Sequence, residues 1–328
     1  MKVFITGATG FLGSVLAKLC LDKAIQVKAL RRPTSHNHSL QDVNGQIEWV
    51  EGSLDDVDLL CEAFRDVQVV FHCAAFLGFD GNSSKELLQT VNVEGTAHVI
   101  NAALSAGISR LVHISSIAAI GRSPSNGAEI DESTEWVEST ANTAYAQSKH
   151  LAEMEVYRGI AEGLDAVIIN PSLIMGPGKR GENTMQIAER LFAGRLAFMP
   201  NGGTNVVDVE DVALAAIAAM EQGVCGERYI VGGHNMMWRE ILPALALALD
   251  VPSQKKMISP RALLYLARIS EAWGKISHSK PTLSKEAATT SSSTYFYSNA
   301  KAIANLGSTF RPFSETALRI AEAVKNEN

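Results

Sequence analysis

The sequence lacks the features that mark membrane-spanning and nucleic-acid-binding proteins. Of its 328 residues, 29 are basic and 35 are acidic, so it has no excess of the positive charge that binds phosphate backbones. The longest apolar stretches, such as Val212–Met220, are about half of the roughly 20 residues that a membrane span needs. Glycines begin at position 7, which is unlike a secretory signal peptide. We therefore expect neither nucleic-acid partners nor a transmembrane segment.

Cysteines and aromatic residues are also scarce. Aromatic residues make up 6% of the chain, against 46% hydrophobic and 20% charged residues, which is ordinary for a globular protein. The cysteines are far apart and form no Cys-x-x-Cys pair, so we expect reduced thiols in a cytoplasmic protein and no zinc site. They are Cys20, Cys61, Cys73 and Cys225. His36 and His38 lack partners at ligand spacing, and we predict no metal site.

In the first half of the chain, short apolar runs alternate with stretches of helix length. This alternation predicts an α/β fold with a doubly wound parallel sheet that has helices on both faces. The predicted strands are Lys2–Thr6, Val27–Leu30, Ile47–Val50, Val67–Phe71, Arg110–Ile114 and Ala166–Ile169. The predicted helices are one that begins near Phe11, Asp55–Phe64, Lys85–Ala106 and Thr143–Ala161.

Past Pro171 the pattern becomes mostly helical. We predict a first domain, residues 1–170, and a smaller C-terminal lobe, residues 171–328, with segments near 205–231 as candidates to return to the first. The predicted elements are helices Thr184–Ala193, Val209–Gln222, Trp238–Leu249, Pro260–Ile276 and Ser314–Lys325, and strand Glu227–Val231. We interpret Ala287–Ser293 as a surface turn. In Pro260–Ile276 we expect the stripe of Leu266, Ile269, Trp273 and Ile276 to be core, with a membrane surface as the alternative.

Glycines at three-residue intervals follow the first strand and open the first helix. They are Gly7, Gly10 and Gly13. The first permits a sharp turn, the second permits a close approach to a pyrophosphate, and the third lets the helix pack closely. The free N–H groups at the helix start favour an anion. This motif predicts a dinucleotide site in a Rossmann-type domain.

The end of the second strand favours NADP over NAD. An NAD site usually has an acidic residue about 20 positions past the glycines, but no Asp or Glu lies between Asp22 and Asp42. Arg31 and Arg32 stand there instead, and a guanidinium can bind a 2′-phosphate through paired hydrogen bonds. We predict NADP, keep NAD as the alternative, and note that both arginines can also be solvated surface charges.

Two serines, followed along the chain by a tyrosine and a lysine, predict proton-transfer chemistry. Tyr145 and Lys149 are four residues apart and share one helix face. A nearby ammonium favours the phenolate of a tyrosine, whose pKa is otherwise near 10. Ser115 and Ser116 end the fifth strand, at the edge where open α/β sheets bind ligands.

With these motifs the chain resembles the extended short-chain dehydrogenase/reductase family, and within it the dihydroflavonol 4-reductase-like proteins and the hopanoid-associated sugar epimerase-like branch. The resemblance covers nearly the whole chain. Its motifs are Thr6–Gly13, His72–Ala75, Val91–Thr96, Ser115 with Ser116, Tyr145 with Lys149, Asn170–Pro177 and Val206–Ala213.

The resemblance implies Tyr145 as the acid/base, Lys149 as the ligand of the nicotinamide ribose and Ser116 as the residue that orients the carbonyl. It also implies Arg32, rather than Arg31, at the 2′-phosphate. The further implied cofactor contacts are Gly7, Thr9, Gly10, Phe11, Leu12, Ser53, Leu54, Ala74, Ala75, Pro171, Ser172 and Leu173. Ser53 departs from the family's aspartate at that position, so we expect a weaker or rearranged contact with adenine.

Three functions fit these residues. The first is an NADPH-dependent reductase of a ketone or aldehyde, and the second is a nucleotide-sugar epimerase or dehydratase that uses the dinucleotide transiently. The third is a regulator that binds NADP without turnover. The predicted substrate pocket, apolar in character, comprises Phe76–Asp80, Ile117, Leu173–Met175 and the helix near Thr184–Phe198. The family also implies a homodimer through Lys85–Ala106 and Thr143–Ala161.

Two further sets of polar residues are candidates for less specific roles. We expect His72 to be tolerated at a strand end rather than to act as a base. We expect Asp131 and Glu132 to be solvated charges on the loop before Tyr145.

Overall fold

The computed structural model describes residues 1–35, 38–78, 85–122, 129–139, 142–181, 184–196, 198–253, 256–277 and 283–326. The strands in these ranges are β1 Lys2–Thr6, β2 Gln26–Arg31, β3 Ile47–Glu51, β4 Val69–His72, β5 Arg110–Ile114, β6 Ala166–Pro171, β7 Leu173–Met175, β8 Gly203–Asp208, β9 Arg228–Val231 and β10 His234–Met237. The helices are α1 Phe11–Asp22, α2 Val57–Phe64, α3 Lys85–Leu88, α4 Gly95–Ala106, α5 Ala144–Ala161, α6 Met185–Phe192, α7 Val209–Gln222, α8 Trp238–Leu249, α9 Pro260–Ser277, α10 Lys285–Ser292, α11 Ala300–Leu306 and α12 Phe313–Asn326.

Seven strands form one parallel sheet in the order β3-β2-β1-β4-β5-β6-β9. The chain order reverses between β1 and β4, whose ends meet where Thr6 pairs with His72. Ligands of open α/β sheets bind outside the carboxyl ends of the strands at such a reversal. The predicted Rossmann-type doubly wound sheet is confirmed.

Helices cover both faces of this sheet, as the continuous apolar strands require. On one face α1 and α7 pack together through fully buried residues such as Leu16 and Val212. On the other face α2, α4 and α5 pack through residues such as Leu60, Val99 and Val156. Within the candidate segments 205–231, α7 covers the main sheet and β9 extends it.

The C-terminal lobe has its own core and a small second sheet. Helices α6, α8 and α12 enclose buried residues such as Leu191, Leu245 and Ile320. Strands β10, β8 and β7 form a three-stranded sheet that the sequence pattern did not predict. A buried ion-pair cluster joins this lobe to α7, since Arg319 lies 3.0 Å from Asp208 and Arg311 lies 2.9 Å from Asp211.

Two predictions for the C-terminal half are wrong. Most of the predicted turn Ala287–Ser293 is helix α10, because Ser284 caps it by accepting a hydrogen bond from the Ala287 N–H (3.1 Å). The stripe on α9 is not core: the exposed fractions of Leu266, Ile269 and Trp273 are 40%, 50% and 67%. Phe79 and Asp80 of the predicted pocket, and His36, lie outside the described residues.

Candidate active site

The glycine-rich turn joins β1 to α1 and lies against the loop after β4. Gly7 has φ +72°, and a Cβ there would lie 2.7 Å from the Ala74 nitrogen. A Cβ at Gly13 would lie 2.2 Å from the Gly7 carbonyl oxygen. Neither position accommodates a larger residue without moving backbone, so the chain is held close at the reversal point of the sheet.

The first turn of α1 is free to bind an anion. Gly10 is the N-cap residue, no side chain caps the helix, and no acidic residue lies in its first turn. The unpaired N–H groups and the positive end of the helix dipole therefore meet a phosphate without competition. Thr9 and Phe11 are half-buried beside this turn, whereas the Leu12 side chain belongs to the core. Leu12 can therefore meet a cofactor only through its backbone.

The two arginines after β2 have different surroundings. Arg31 pairs with Glu51 (2.6 Å) and lies over the Trp49 ring at 5.3 Å, so its charge is already engaged. Arg32 is exposed and has no ion-pair partner in the described part of the chain. An open hollow beside it is lined by Pro33, Ser53 and the acidic turn Asp55–Asp58.

The segment after β3 is anchored by α4, and the segment after β4 is anchored by β1. Leu54 accepts a hydrogen bond through its carbonyl from His98 Nδ1 (3.0 Å), and Ser53 beside it is half-buried. The Ala74 N–H donates to Thr6 Oγ1 (3.2 Å), while Ala75 is exposed. Leu54 and Ala74, two of the implied cofactor contacts, are thus anchored by hydrogen bonds.

His72 is a structural residue rather than a base. It is fully buried, with Nδ1 2.7 Å from Thr6 Oγ1 and Nε2 3.0 Å from Thr96 Oγ1. Because the Thr96 hydroxyl donates to the Asn92 carbonyl, it must accept from Nε2–H, which assigns the neutral tautomer. Burial lowers the pKa of His72 to about 3.

Ser116 and Tyr145 come together at the carboxyl end of the sheet. Ser116 follows β5, where its hydroxyl accepts from the Ala118 N–H (3.1 Å). Tyr145 lies in the first turn of α5, which Thr143 caps. Burial raises the pKa of Tyr145 to about 12, and its hydrogen bond with Ser116 opposes that shift. The phenol is therefore protonated at neutral pH. Ser115 is buried, and its side chain interacts with the Glu153 carboxyl.

Lys149 lies one helical turn after Tyr145 and is 2% exposed. Its ammonium donates to the Ile114 carbonyl at 2.9 Å, at the end of β5. Burial lowers the pKa of Lys149 to about 8, and the charge of Glu153 opposes this. The amine thus remains mostly cationic at pH 7, with N–H donors beyond the one that Ile114 accepts.

A buried polar network holds Ser116 from behind. The Asn170 amide donates to the Ser116 carbonyl (2.9 Å) and to Glu153 Oε1 (2.6 Å). Glu153 is fully buried on α5, and burial raises its pKa. Glu153 was not predicted from the sequence, and Asn170 was predicted only as part of a family motif. The available signal was the four-residue spacing from Lys149 to Glu153.

Asn92 joins the β4 loop to α5. It is 1% exposed, and its amide accepts from the Phe76 N–H (2.7 Å), donates to the Phe76 carbonyl (2.9 Å) and donates to Ser148 Oγ (2.9 Å). It lies in the π-helical segment Gln89–Glu94 between α3 and α4. Such wide turns occur often at functional sites.

The chain leaves β6 at Pro171 beside this site. The Ser172 N–H donates to the Val231 carbonyl (3.1 Å), but its buried Oγ has no partner among the described residues. Leu173 and Ile117 are half-buried, as a pocket wall requires, whereas Met175 is fully buried in the lobe core. Met175 therefore does not line the predicted pocket.

Glu132 is not a solvated charge, contrary to the prediction. Its carboxylate accepts from the Ile230 N–H (2.7 Å), and its carbonyl accepts from Arg228 (2.7 Å). Asp131 is exposed and accepts only local bonds from Ser133 and Thr134. Within the described ranges no group of three or more His, Cys, Asp or Glu side chains is placed to hold a metal ion.

The residues present fit a dinucleotide. The open helix start suits a pyrophosphate, the remaining Lys149 donors suit ribose hydroxyls, and Ser172 Oγ is a buried polar atom with no partner among the described residues. The side chains of Tyr145 and Ser116 are hydrogen-bonded to each other. This arrangement matches proton transfer coupled to hydride transfer.

Comparisons with known proteins agree with this geometry. A dihydroflavonol 4-reductase-like protein of Synechocystis sp. is 33% identical over 326 residues, covering 98% of this chain and 93% of that protein. The 2-alkyl-3-oxoalkanoate reductase of Stenotrophomonas maltophilia is 33% identical over 282 residues, covering 83% and 82%. The crystal structure of gox2253 superposes with a TM-score of 0.85 at 30% identity, covering 99% and 98%.

A family model also matches most of the chain, over residues 3–232, and its description is "NAD dependent epimerase/dehydratase family". No helix among the described residues has the length and apolar character to cross a bilayer. The chain is an NAD(P)-dependent enzyme that belongs to the NAD dependent epimerase/dehydratase family, within the extended short-chain dehydrogenases/reductases.

Proposed function

We propose that this protein is an NADPH-dependent reductase of a ketone or aldehyde. The observation that carries the proposal is the contact of Ser116 with a protonated Tyr145, one helical turn from the Lys149 ammonium. The names of the two relatives support it, since both refer to reductases. The apolar wall residues Ile117 and Leu173 favour an apolar substrate.

The chain's own residues perform the proton chemistry. Bound NADPH supplies the hydride that goes to the carbonyl carbon. Ser116 donates a hydrogen bond to the carbonyl oxygen, and Tyr145 gives that oxygen its proton as negative charge develops there. Lys149 holds the ribose hydroxyls and stabilises the phenolate that remains. Asn170 fixes the Ser116 backbone during this step.

Turnover assays with matched tyrosine variants test the proposal. NADPH oxidation is followed with a panel of apolar ketones and aldehydes, and Tyr145→Phe should lower kcat at least a hundredfold with little change in NADPH affinity. Tyr157→Phe, in the same helix but half-buried against the core, should stay active. Conversion of nucleotide sugars with trace NAD would instead identify an epimerase or dehydratase. Binding without turnover on either panel would identify a regulator.

We propose NADP as the preferred cofactor, held at its 2′-phosphate by Arg32. Arg31 is neutralised by Glu51, so Arg32 is the better candidate. The carboxylates of Asp55–Asp58 line the same hollow and repel the 2′-phosphate of NADP. NAD therefore stays the alternative cofactor. Arg32→Ala should weaken NADPH binding about 10- to 100-fold without affecting NADH, given about 1.5–3 kcal/mol for a charged hydrogen bond. Equal wild-type affinities for NADPH and NADH would refute the preference.

We propose a homodimer through α5 and the helical segments between Lys85 and Ala106. Leu151 and Met154 on α5 are 44% and 41% exposed, which supports a shared interface there. Light scattering of the wild type and of Leu151→Glu tests it, because the charged variant should be monomeric. We place the protein in the cytoplasm, which its free cysteines support.

A further inference from the structure

Helix α9 is apolar on the side that points away from the protein. Four large side chains there are between 40% and 67% exposed, and their spacing of three and four residues aligns them on one face. They are Tyr265, Leu266, Ile269 and Trp273, which we call the α9 stripe. Soluble proteins seldom expose a contiguous patch of this kind, and such patches mark interaction sites.

The fold does not require the α9 stripe. The opposite face of α9 is anchored by Leu263 and Ala267, which are 8% and 0% exposed and pack with Ile258 and Ala288. A polar bond also ties α9 to the residues just before α10, because Ser270 Oγ accepts from the Leu283 N–H at 3.1 Å. The stripe is therefore available to another surface while the helix stays in place.

The stretch of sequence that contains the α9 stripe is basic in an acidic protein. Between positions 255 and 285 the sequence has seven lysines and arginines against one acidic residue, a net charge of +6. The whole chain carries −6, so the remainder carries −12. Arg261 and Arg268 on α9 are exposed, and the acidic residue, Glu271, already accepts from the Lys285 N–H. The charge complement of this region is an anionic surface.

We propose that α9 docks the protein on an anionic lipid bilayer. Tyr265 and Trp273 suit the headgroup boundary, because each combines an apolar ring with a polar atom. Leu266 and Ile269 enter the acyl region, and Arg261 and Arg268 meet the lipid phosphates. A second copy of the chain fits less well, since two +6 segments would face each other across that interface.

Vesicle flotation of the full chain tests the proposal independently of any enzymatic reaction. The protein should float with vesicles of phosphatidylglycerol and phosphatidylcholine, not with phosphatidylcholine alone, and salt should release part of it. Ile269→Glu and Trp273→Glu should each reduce the partition coefficient about tenfold or more. The matched control is Leu247→Glu on α8, since Leu247 is 83% exposed outside the stripe. It should bind like the wild type.

Three results would overturn the proposal. The first is no flotation of the wild type with anionic vesicles, in protein whose circular dichroism is that of a folded α/β chain. The second is an equal loss of binding in Leu247→Glu, which would mean that general charge matters and the stripe does not. The third is a wild-type dimer that Ile269→Glu converts to monomer without any vesicle binding, which would assign the stripe to self-association.

Discussion

The titration of Lys149 gives cofactor binding a defined alkaline limit. With a pKa of about 8, the amine is roughly 90% protonated at pH 7 and roughly 10% protonated at pH 9. If the ammonium binds the ribose hydroxyls, the Kd for NADPH should rise roughly fivefold to tenfold over that interval. Lys149→Arg should remove the pH dependence, because a guanidinium stays charged at both values. Quenching of protein fluorescence by NADPH measures Kd without knowledge of the substrate.

Stability should change in the opposite direction over the same interval. The pKa of Lys149 is lower in the folded chain than in the unfolded one, so above pH 8 the unfolded chain holds more protons at this position and folding is favoured as pH rises. One group contributes about 1 kcal/mol between pH 8 and pH 9. If NADPH binding weakens with rising pH while Tm stays the same or rises, the cause is the titration of Lys149. If Tm falls as binding weakens, the cause is unfolding. A Kd that is flat to pH 9 in the wild type, or equally pH-dependent in Lys149→Arg, would refute the reasoning.

Three further substitutions test packing and polar contacts. Gly13→Ala should abolish NADPH binding and lower Tm, since its Cβ would meet backbone at 2.2 Å, whereas Gly45→Ala, with nothing within 4 Å, should match the wild type in both measurements. Asn170→Ala should lower kcat more than it changes NADPH affinity and should cost about 1–3 kcal/mol in urea unfolding, because it leaves buried polar groups unpaired. Arg319→Ala should cost a similar amount, as it removes two hydrogen bonds from a buried carboxylate; Arg65→Ala, from an ion pair that is 73% and 64% exposed, should cost under about 1 kcal/mol.

The main sheet was predictable because its strands carry short apolar runs that alternate with stretches of helix length. Strands β1 and β5 have the predicted bounds, and the others differ by one to three residues. The small sheet was not predictable from the same signal: β7 has three residues, and β8 and β10 mix polar with apolar positions without strict alternation. Helix α10 was missed because serines and threonines favour turns locally. Here they cap the helix and donate hydrogen bonds back to its carbonyls. The burial of Ala288 against α9 stabilises the helix further.

The candidate site shows where sequence patterns reach their limit. Spacing alone places Tyr145 and Lys149 on one face, but it does not reveal that burial raises one pKa and lowers the other. Nor does it separate two adjacent arginines, since the partner of Arg31 is Glu51, which comes from the neighbouring strand. The same is true of Glu153, a charged residue that looks like solvent-facing helix until β6 brings Asn170 against it. In each case the behaviour of the side chain depends on its burial or on a partner from a distant segment of the chain. Both depend on the order of the strands in the sheet, which the spacing of residues does not show.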